Sequence, residues 1–82
     1  KMKEAVLIGK SAVDAAPDKP YILKIYANAL MENEDQDEAI SVLAKAYNDN
    51  GKKKEYARLY VDVLRANNNE VMARKISSEA NL

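Results

Sequence analysis

Two residue types that many enzymes use for covalent or metal chemistry are missing from this 82-residue sequence, which has no cysteine and no histidine. Their absence removes thiol nucleophiles, disulfide bonds, the usual zinc sites and the commonest general base. The remaining acids, bases and hydroxyl groups suggest no nucleophile–base arrangement and no phosphate-binding loop. We therefore expect a chain that is not an enzyme and that uses no cofactor.

Carboxylates are the one remaining type of metal ligand, and five of them cluster at positions 32–38: Glu32, Glu34, Asp35, Asp37 and Glu38. Their spacing lacks the alternating ligands, the turn glycine and the terminal glutamate of a helix-loop-helix calcium site. Acidic residues at the start of a helix complement its dipole, and Asp35 and Glu38 have the spacing of a capping box. The pattern favours helix capping over calcium binding.

The charge balance indicates no nucleic-acid partner, because 13 basic and 13 acidic residues give a net charge of zero. The short basic run at positions 52–54 is typical of a solvated helix end and makes a weak phosphate site. No apolar run approaches the ~20 residues that span a bilayer. The compartment is not determined: the cytoplasm is slightly favoured and the periplasm stays open.

The elements that carry these residues are predicted to be helices, since two glycines and two prolines are too few for the turns of an all-β fold. Leu23, Tyr26, Ala27 and Leu30 fall on one helical stripe. Apolar spacing predicts helices at about 2–16, 20–32, 36–49, 53–66 and 70–80. Capping at the helix starts is expected from Asp18 before Pro20, from Asp35 and from Asn69, and left-handed residues at the helix ends are expected at Asn33, Gly51 and Asn67.

The apolar stripes recur with a period of 34 residues. The stripe of the second predicted helix recurs in the fourth as Ala57, Tyr60, Val61 and Leu64. The third helix carries Ala39, Ile40, Leu43, Ala46 and Tyr47; the first carries Ala5, Val6, Gly9, Ala12, Val13 and Ala16; the fifth carries Met72, Ala73, Ile76 and Ala80. We predict one domain over 1–82, or a piece of a longer array, made of a second helix (2–16), a full repeat (20–53) and a final repeat (54–82).

In this register the sequence resembles the tetratricopeptide repeat family, which alternates large and small residues on two antiparallel helices. The matching first-helix residues are Leu23, Tyr26, Ala27 and Leu30, then Ala57, Tyr60, Val61 and Leu64; the second-helix residues are Ala39, Leu43, Ala46 and Gly51, with Ala5, Gly9, Ala12 and Pro17 in the opening helix. The resemblance implies an all-α fold of about five helices, stacked as antiparallel hairpins in a short right-handed α-solenoid.

The same resemblance implies a groove lined by the first helices of successive repeats. The positions that face this groove would be Tyr21, Lys24, Asn28, Met31 and Glu32, then Glu55, Arg58, Asp62 and Arg65. Lys24 and Asn28 also match part of the two-carboxylate clamp with which some family members hold chaperone tails, but Leu59 replaces a further asparagine of that clamp. A plain solvated face at Lys24 and Asn28, and ion pairs of Arg58 and Arg65 within their own helix, are the alternatives.

We expect the chain to have one of three functions. The first is a protein-interaction module that holds a peptide or helix of a partner in this groove. The second is a structural segment that joins other repeats or self-associates through exposed apolar end helices, and the third is a non-catalytic regulatory part of a larger enzyme or regulator. Tyr26, Tyr47 and Tyr60 are expected to pack in the core, whereas Tyr21 and Tyr56 are expected to contact a partner.

Overall fold

A computed structural model describes the backbone of residues 2–82 and the side chains of residues 3–82. Within that range the chain is all-α, with helices α1 (Met2–Ala15), α2 (Pro20–Glu32), α3 (Gln36–Asp49), α4 (Lys54–Ala66) and α5 (Glu70–Glu79), and no strand. The predicted all-α class with about five helices is therefore confirmed. No predicted helix end differs from the structure by more than one residue, because the apolar stripes extend over each whole helix.

The helices lie in two layers. Each helix packs against the next one in the chain, and α2 also contacts α4. Among the described helices, α1, α3 and α5 bring no Cα atoms within 8 Å of one another. The molecule measures 36 × 25 × 15 Å. Its shortest dimension fits two helix layers, with axes about 10 Å apart and a Cα radius of about 2.3 Å on each side. One layer holds α2 and α4, and the other holds α1, α3 and α5.

Most of the core consists of the predicted stripes, which face each other between the layers, and Tyr56 and Val63 of α4 add to it. Three alanines in it, Ala39, Ala57 and Ala73, are 0% exposed. Because a methyl group takes little room, helices can approach closely at these positions. The prediction was wrong at Ala5, which is exposed. The reason is that α1 packs only on α2, whereas α3, which carries Ala39, packs on both α2 and α4.

Gly9 brings α1 and α2 together. A Cβ atom at this buried position would lie 3.0 Å from Cδ1 and 3.1 Å from Cα of Tyr26. These distances are shorter than ordinary van der Waals contact, so a side chain here would push the two helices apart. Gly9 corresponds to Leu43 of α3, which lies 34 residues later. The space that the Leu43 side chain takes beside α3 is therefore occupied beside α1 by Tyr26 of α2.

Helices α2 and α4 end in the same way, with a Schellman motif. After α2, the N–H of Glu34 donates to the carbonyl of Met31 (3.1 Å) and the N–H of Asp35 donates to that of Leu30 (2.8 Å). The left-handed residues are Glu34 (φ 62°) and, after α4, Asn68 (φ 60°).

Two of the three predicted left-handed residues were one position early. Asn33 (φ −87°) and Asn67 (φ −101°) are the C-caps themselves, and in the Schellman motif the left-handed residue follows the C-cap. The Asn33 amide instead donates to the Asp35 carboxylate (2.7 Å), and the Asn67 amide donates to the carbonyl of Val63 (2.8 Å). The prediction at Gly51 is confirmed, with φ 71°.

The helix starts are capped less often than predicted. Asn69 does cap α5, since its side-chain oxygen accepts the N–H of Met72 (3.4 Å). Pro20 occupies the first turn of α2, but the N-cap is Lys19 and makes no side-chain capping bond, so the predicted Asp18 cap was wrong. Asp35 is the N-cap of α3 without a capping bond, because its carboxylate binds the Asn33 amide, and the predicted capping box is therefore not formed.

Glycine at position 34 is expected to stabilise the chain, because a left-handed backbone strains every residue except glycine. We expect Glu34→Gly to add about 0.5 kcal/mol, which raises Tm by about 2–4 °C in a domain of this size. Asn33→Gly is the control one residue away, and it should lower Tm because it removes the bond to Asp35. Circular-dichroism melting of both variants checks this, and the opposite ranking would place the left-handed residue at Asn33.

Candidate functional site

The residues predicted to line a groove lie on one face of the α2–α4 layer. Tyr21, Lys24 and Asn28 follow helical spacing on α2 and are exposed, on the side opposite the buried stripe that contains Leu23 and Ala27. On α4 the same arrangement places Glu55, Arg58, Asp62 and Arg65 in an exposed stripe. Because α2 contacts α4 and both buried stripes face the other layer, these residues form one outer surface, called the α2–α4 face below.

Met31 differs from the other predicted residues because it is half-buried. Its sulfur lies 3.4 Å from the side-chain amide nitrogen of Asn67, the C-cap of α4. This contact connects the end of α2 to the end of α4. Met31 therefore lies in the floor between the two helices, while Glu32 is exposed beside it.

Tyr21 and Tyr56 have different environments, although both were predicted to contact a partner. Tyr21 is 65% exposed, next to Ile25 at 61%. The prediction for Tyr56 was wrong, since it is 4% exposed and belongs to the core. Burial raises the pKa of the Tyr56 hydroxyl, and the carboxylates of Asp18 and Glu55 raise it further. Among the residues whose side chains are described, Tyr21 alone offers an exposed aromatic ring on the α2–α4 face.

Arg65 forms an ion pair, but with a different partner from the predicted one. Its Nε atom lies 3.3 Å from Oε1 of Glu70 in α5. The Nε atom of Arg74 lies 3.2 Å from Oε2 of the same glutamate. No pair between Arg65 and Asp62 is described. All these side chains are about half exposed or more, so the pairs contribute little to stability. The guanidinium of Arg65 is thereby held at the edge of the α2–α4 face.

The tyrosines predicted to pack in the core do so. Tyr26, Tyr47 and Tyr60 are at most 5% exposed, and the rings of Tyr47 and Tyr60 lie 5.9 Å apart between centroids at an angle of 50°. The Tyr47 hydroxyl donates to Glu79 of α5 at 2.9 Å. Burial raises the pKa of Tyr47, and this hydrogen bond raises it further. Burial alone raises the pKa of Tyr60.

A cleft between α1 and α3 was not predicted from the sequence. Its volume is about 480 Å³, and it lies in the layer opposite the α2–α4 face. Val13, Leu23, Tyr26, Val42 and Ala46 provide its apolar wall. One signal was present in the sequence: position 13 is a valine, while the position 34 residues later is the tyrosine Tyr47.

The acidic residues of the turn between α2 and α3 border a shallow hollow of about 350 Å³. Within the part of the chain that the structure describes, no three carboxylates are grouped as metal ligands. None of the described helices is both long and apolar enough to cross a membrane.

The chain has no significant match among protein-family models, curated proteins or solved structures. The tetratricopeptide resemblance therefore depends on the residue pattern alone. Function must be inferred from two surface features of the chain, the α2–α4 face and the cleft between α1 and α3.

Proposed function

We propose that the chain is a protein-interaction module of the tetratricopeptide type, in which the α2–α4 face holds a peptide or a helix of a partner protein. One observation carries the proposal: two adjacent helices turn matching stripes of exposed, mainly polar residues to the same side. A layer of helices that is closed on its inner side by the core and open on its outer side offers an extended surface to a ligand.

The chemistry of the face suits a peptide backbone. The amide of Asn28 can both donate to and accept from a main chain, and Lys24 and Arg58 can pair with acidic groups of a partner. Tyr21 and Ile25, which are largely exposed on the same helix, add apolar contacts. Rigid aromatic residues and arginines carry much of the binding energy at protein interfaces.

The α2–α4 face lacks part of the two-carboxylate clamp. Leu59 occupies the position where that clamp would need a second asparagine, and it is half-buried against the core. Glu55 and Asp62 also add negative charge to the face. The proposed ligand therefore carries both acidic and basic groups rather than a purely acidic tail.

Substitution on the face should weaken peptide binding without changing stability. Peptides selected from a random phage-displayed library on the wild-type chain provide the ligands. We expect Lys24→Ala and Asn28→Ala each to raise Kd about fivefold to tenfold, because each removes about one hydrogen bond or ion pair. Fluorescence anisotropy measures Kd, and circular dichroism checks that Tm is unchanged.

Matched controls are Ser41→Ala on α3 and Lys75→Ala on α5, which change exposed residues of the opposite layer. Both should bind the selected peptides as the wild type does. If Lys24→Ala and Asn28→Ala also bind with unchanged Kd, the α2–α4 face is not the binding surface.

A second candidate function, association through an apolar end, is favoured by the exposure of Ile8 (70%) and Ile25 (61%). The residues 34 positions after Ile25 and Ile8 are Leu59 and Val42, and both are half-buried against the core. In the described chain, α2 packs beside α4, but no helix packs on the corresponding side of α2. We infer that this surface accepts another helix, from a second copy of the chain or from an adjacent repeat.

Self-association would appear as a mass that rises with concentration in sedimentation equilibrium. We expect the wild type to show this rise and the double variant Ile8→Glu/Ile25→Glu to stay monomeric, because two buried charges would oppose the contact. Ser41→Glu is the control, since Ser41 is an exposed polar residue of the central helix α3. A wild type that is monomeric at every concentration would contradict self-association.

A further inference from the structure

The cleft between α1 and α3 exists because the backbones of these helices stay apart and no large side chain fills the space between them. Its volume of about 480 Å³ lies within the ~300–1,000 Å³ of typical ligand pockets. Its wall is formed by Val13 of α1, Leu23 and Tyr26 of α2, and Val42 and Ala46 of α3. Because it lies in the layer opposite the α2–α4 face, it is independent of the function proposed above.

The equivalent space between α3 and α5 is occupied by the chain's own tyrosine. Tyr47 is 1% exposed, its ring packs beside Tyr60, and its hydroxyl donates to Glu79 at 2.9 Å. Each of these residues has a counterpart 34 positions earlier that lines the cleft: Val13 for Tyr47, Tyr26 for Tyr60, and Lys45 for Glu79. The chain therefore contains one filled and one unfilled version of the same arrangement.

The difference between the two versions lies mainly at the first of these positions. Val13 carries only two methyl groups beyond its Cβ, so it leaves open the space that the Tyr47 ring takes between α3 and α5. The other wall positions keep an apolar character: Val42 corresponds to Ile76, and Ala46 to Ala80. The cleft thus has the surroundings of a tyrosine ring without the ring.

The rim of the cleft carries an excess of negative charge. Four carboxylates, Asp14, Asp18, Glu38 and Asp49, line the cleft against two lysines, Lys10 and Lys45, and Lys45 is paired with Asp49 at 2.8 Å. Burial raises the pKa of the Tyr26 hydroxyl, and carboxylates that include Glu38 and Asp14 raise it further, which agrees with a negative potential at this wall. A cationic ligand is attracted to such a rim.

We propose that the cleft between α1 and α3 binds a tyrosine side chain of a partner polypeptide, with lysine or arginine residues next to that tyrosine in the partner sequence. The ring packs on Val13, Val42 and Tyr26, as the Tyr47 ring packs in the filled version. The hydroxyl group of the ligand reaches the Lys45–Asp49 pair, because Lys45 is the counterpart of Glu79, which accepts the Tyr47 hydroxyl. The flanking cations lie near Asp14 and Glu38.

Titration of the ¹⁵N-labelled chain with short blocked peptides tests this site. The probe is acetyl-Lys-Tyr-Lys-amide, and the comparisons are acetyl-Lys-Ala-Lys-amide and acetyl-Glu-Tyr-Glu-amide. We expect the first peptide to shift the amide signals of Val13, Val42 and Ala46 and to bind about tenfold more tightly than either comparison, because burial of a ring and charge attraction each add to affinity. Equal shifts with the alanine peptide would overturn the proposal.

Filling the cleft from within should block the peptide. In Val13→Tyr the new ring takes the proposed position of the ligand, so the shifts caused by acetyl-Lys-Tyr-Lys-amide should disappear. In Val13→Tyr/Lys45→Glu the pair of residues found at Tyr47 and Glu79 is rebuilt, and Tm should rise by more than the sum of the two single changes. Peptide binding that persists in a folded Val13→Tyr chain would overturn the proposal.

A rim variant keeps the test decisive if Val13→Tyr fails to fold. Asp14→Asn/Glu38→Gln changes only exposed side chains and should weaken binding of the lysine-flanked peptide about fivefold. Lys24→Ala, on the α2–α4 face, should leave this binding unchanged. Unaltered affinity in the rim variant would contradict the proposed charge preference, and a loss in Lys24→Ala would assign the peptide to the other face.

Discussion

Ala39, Ala57 and Ala73 are completely buried at the contacts between neighbouring helices, and the rest of the structure depends on the close approach that their small side chains permit. Protein interiors are close-packed, so a larger residue at any of them would force helices apart. Gly9 extends the same principle to α1, where the backbone meets Tyr26 directly. Small residues thus let each helix pack closely on the next, and the outer surfaces of the two layers stay exposed.

The two open faces differ in chemistry because different side chains point to them. The α2–α4 face is mainly polar and of mixed charge, with Tyr21 as its exposed ring. On the other side, α1, α3 and α5 are too far apart for backbone contact, so long side chains decide whether the spaces between them are filled. Tyr47 fills one space, and Val13 leaves the other open. The difference between Val13 and Tyr47 therefore largely separates the proposed binding cleft from the filled space.

The helices were predictable because apolar spacing is a local property of the sequence, and all eight residues of the predicted stripes in α2 and α4 are buried. The left-handed residues that follow the helices were less predictable: Asn33 has the right residue type for such a position, but the hydrogen bonds of the Schellman motif place it at Glu34. Tyr56 was misassigned because its burial depends on contact between α2 and α4, which spacing within one helix does not reveal. The cleft was missed for the same reason, since it depends on the separation of α1 from α3.

The helices stack in sequence, an arrangement in which Tyr47 joins α3 to α5 and Met31 joins the ends of α2 and α4. A ¹³C-edited NOESY spectrum of the chain tests it most directly. The structure predicts cross-peaks between the Tyr47 ring and both Tyr60 and Glu79, and between the Met31 methyl group and the Asn67 amide. A folded, helical chain that lacks all of these cross-peaks would contradict the stacked arrangement.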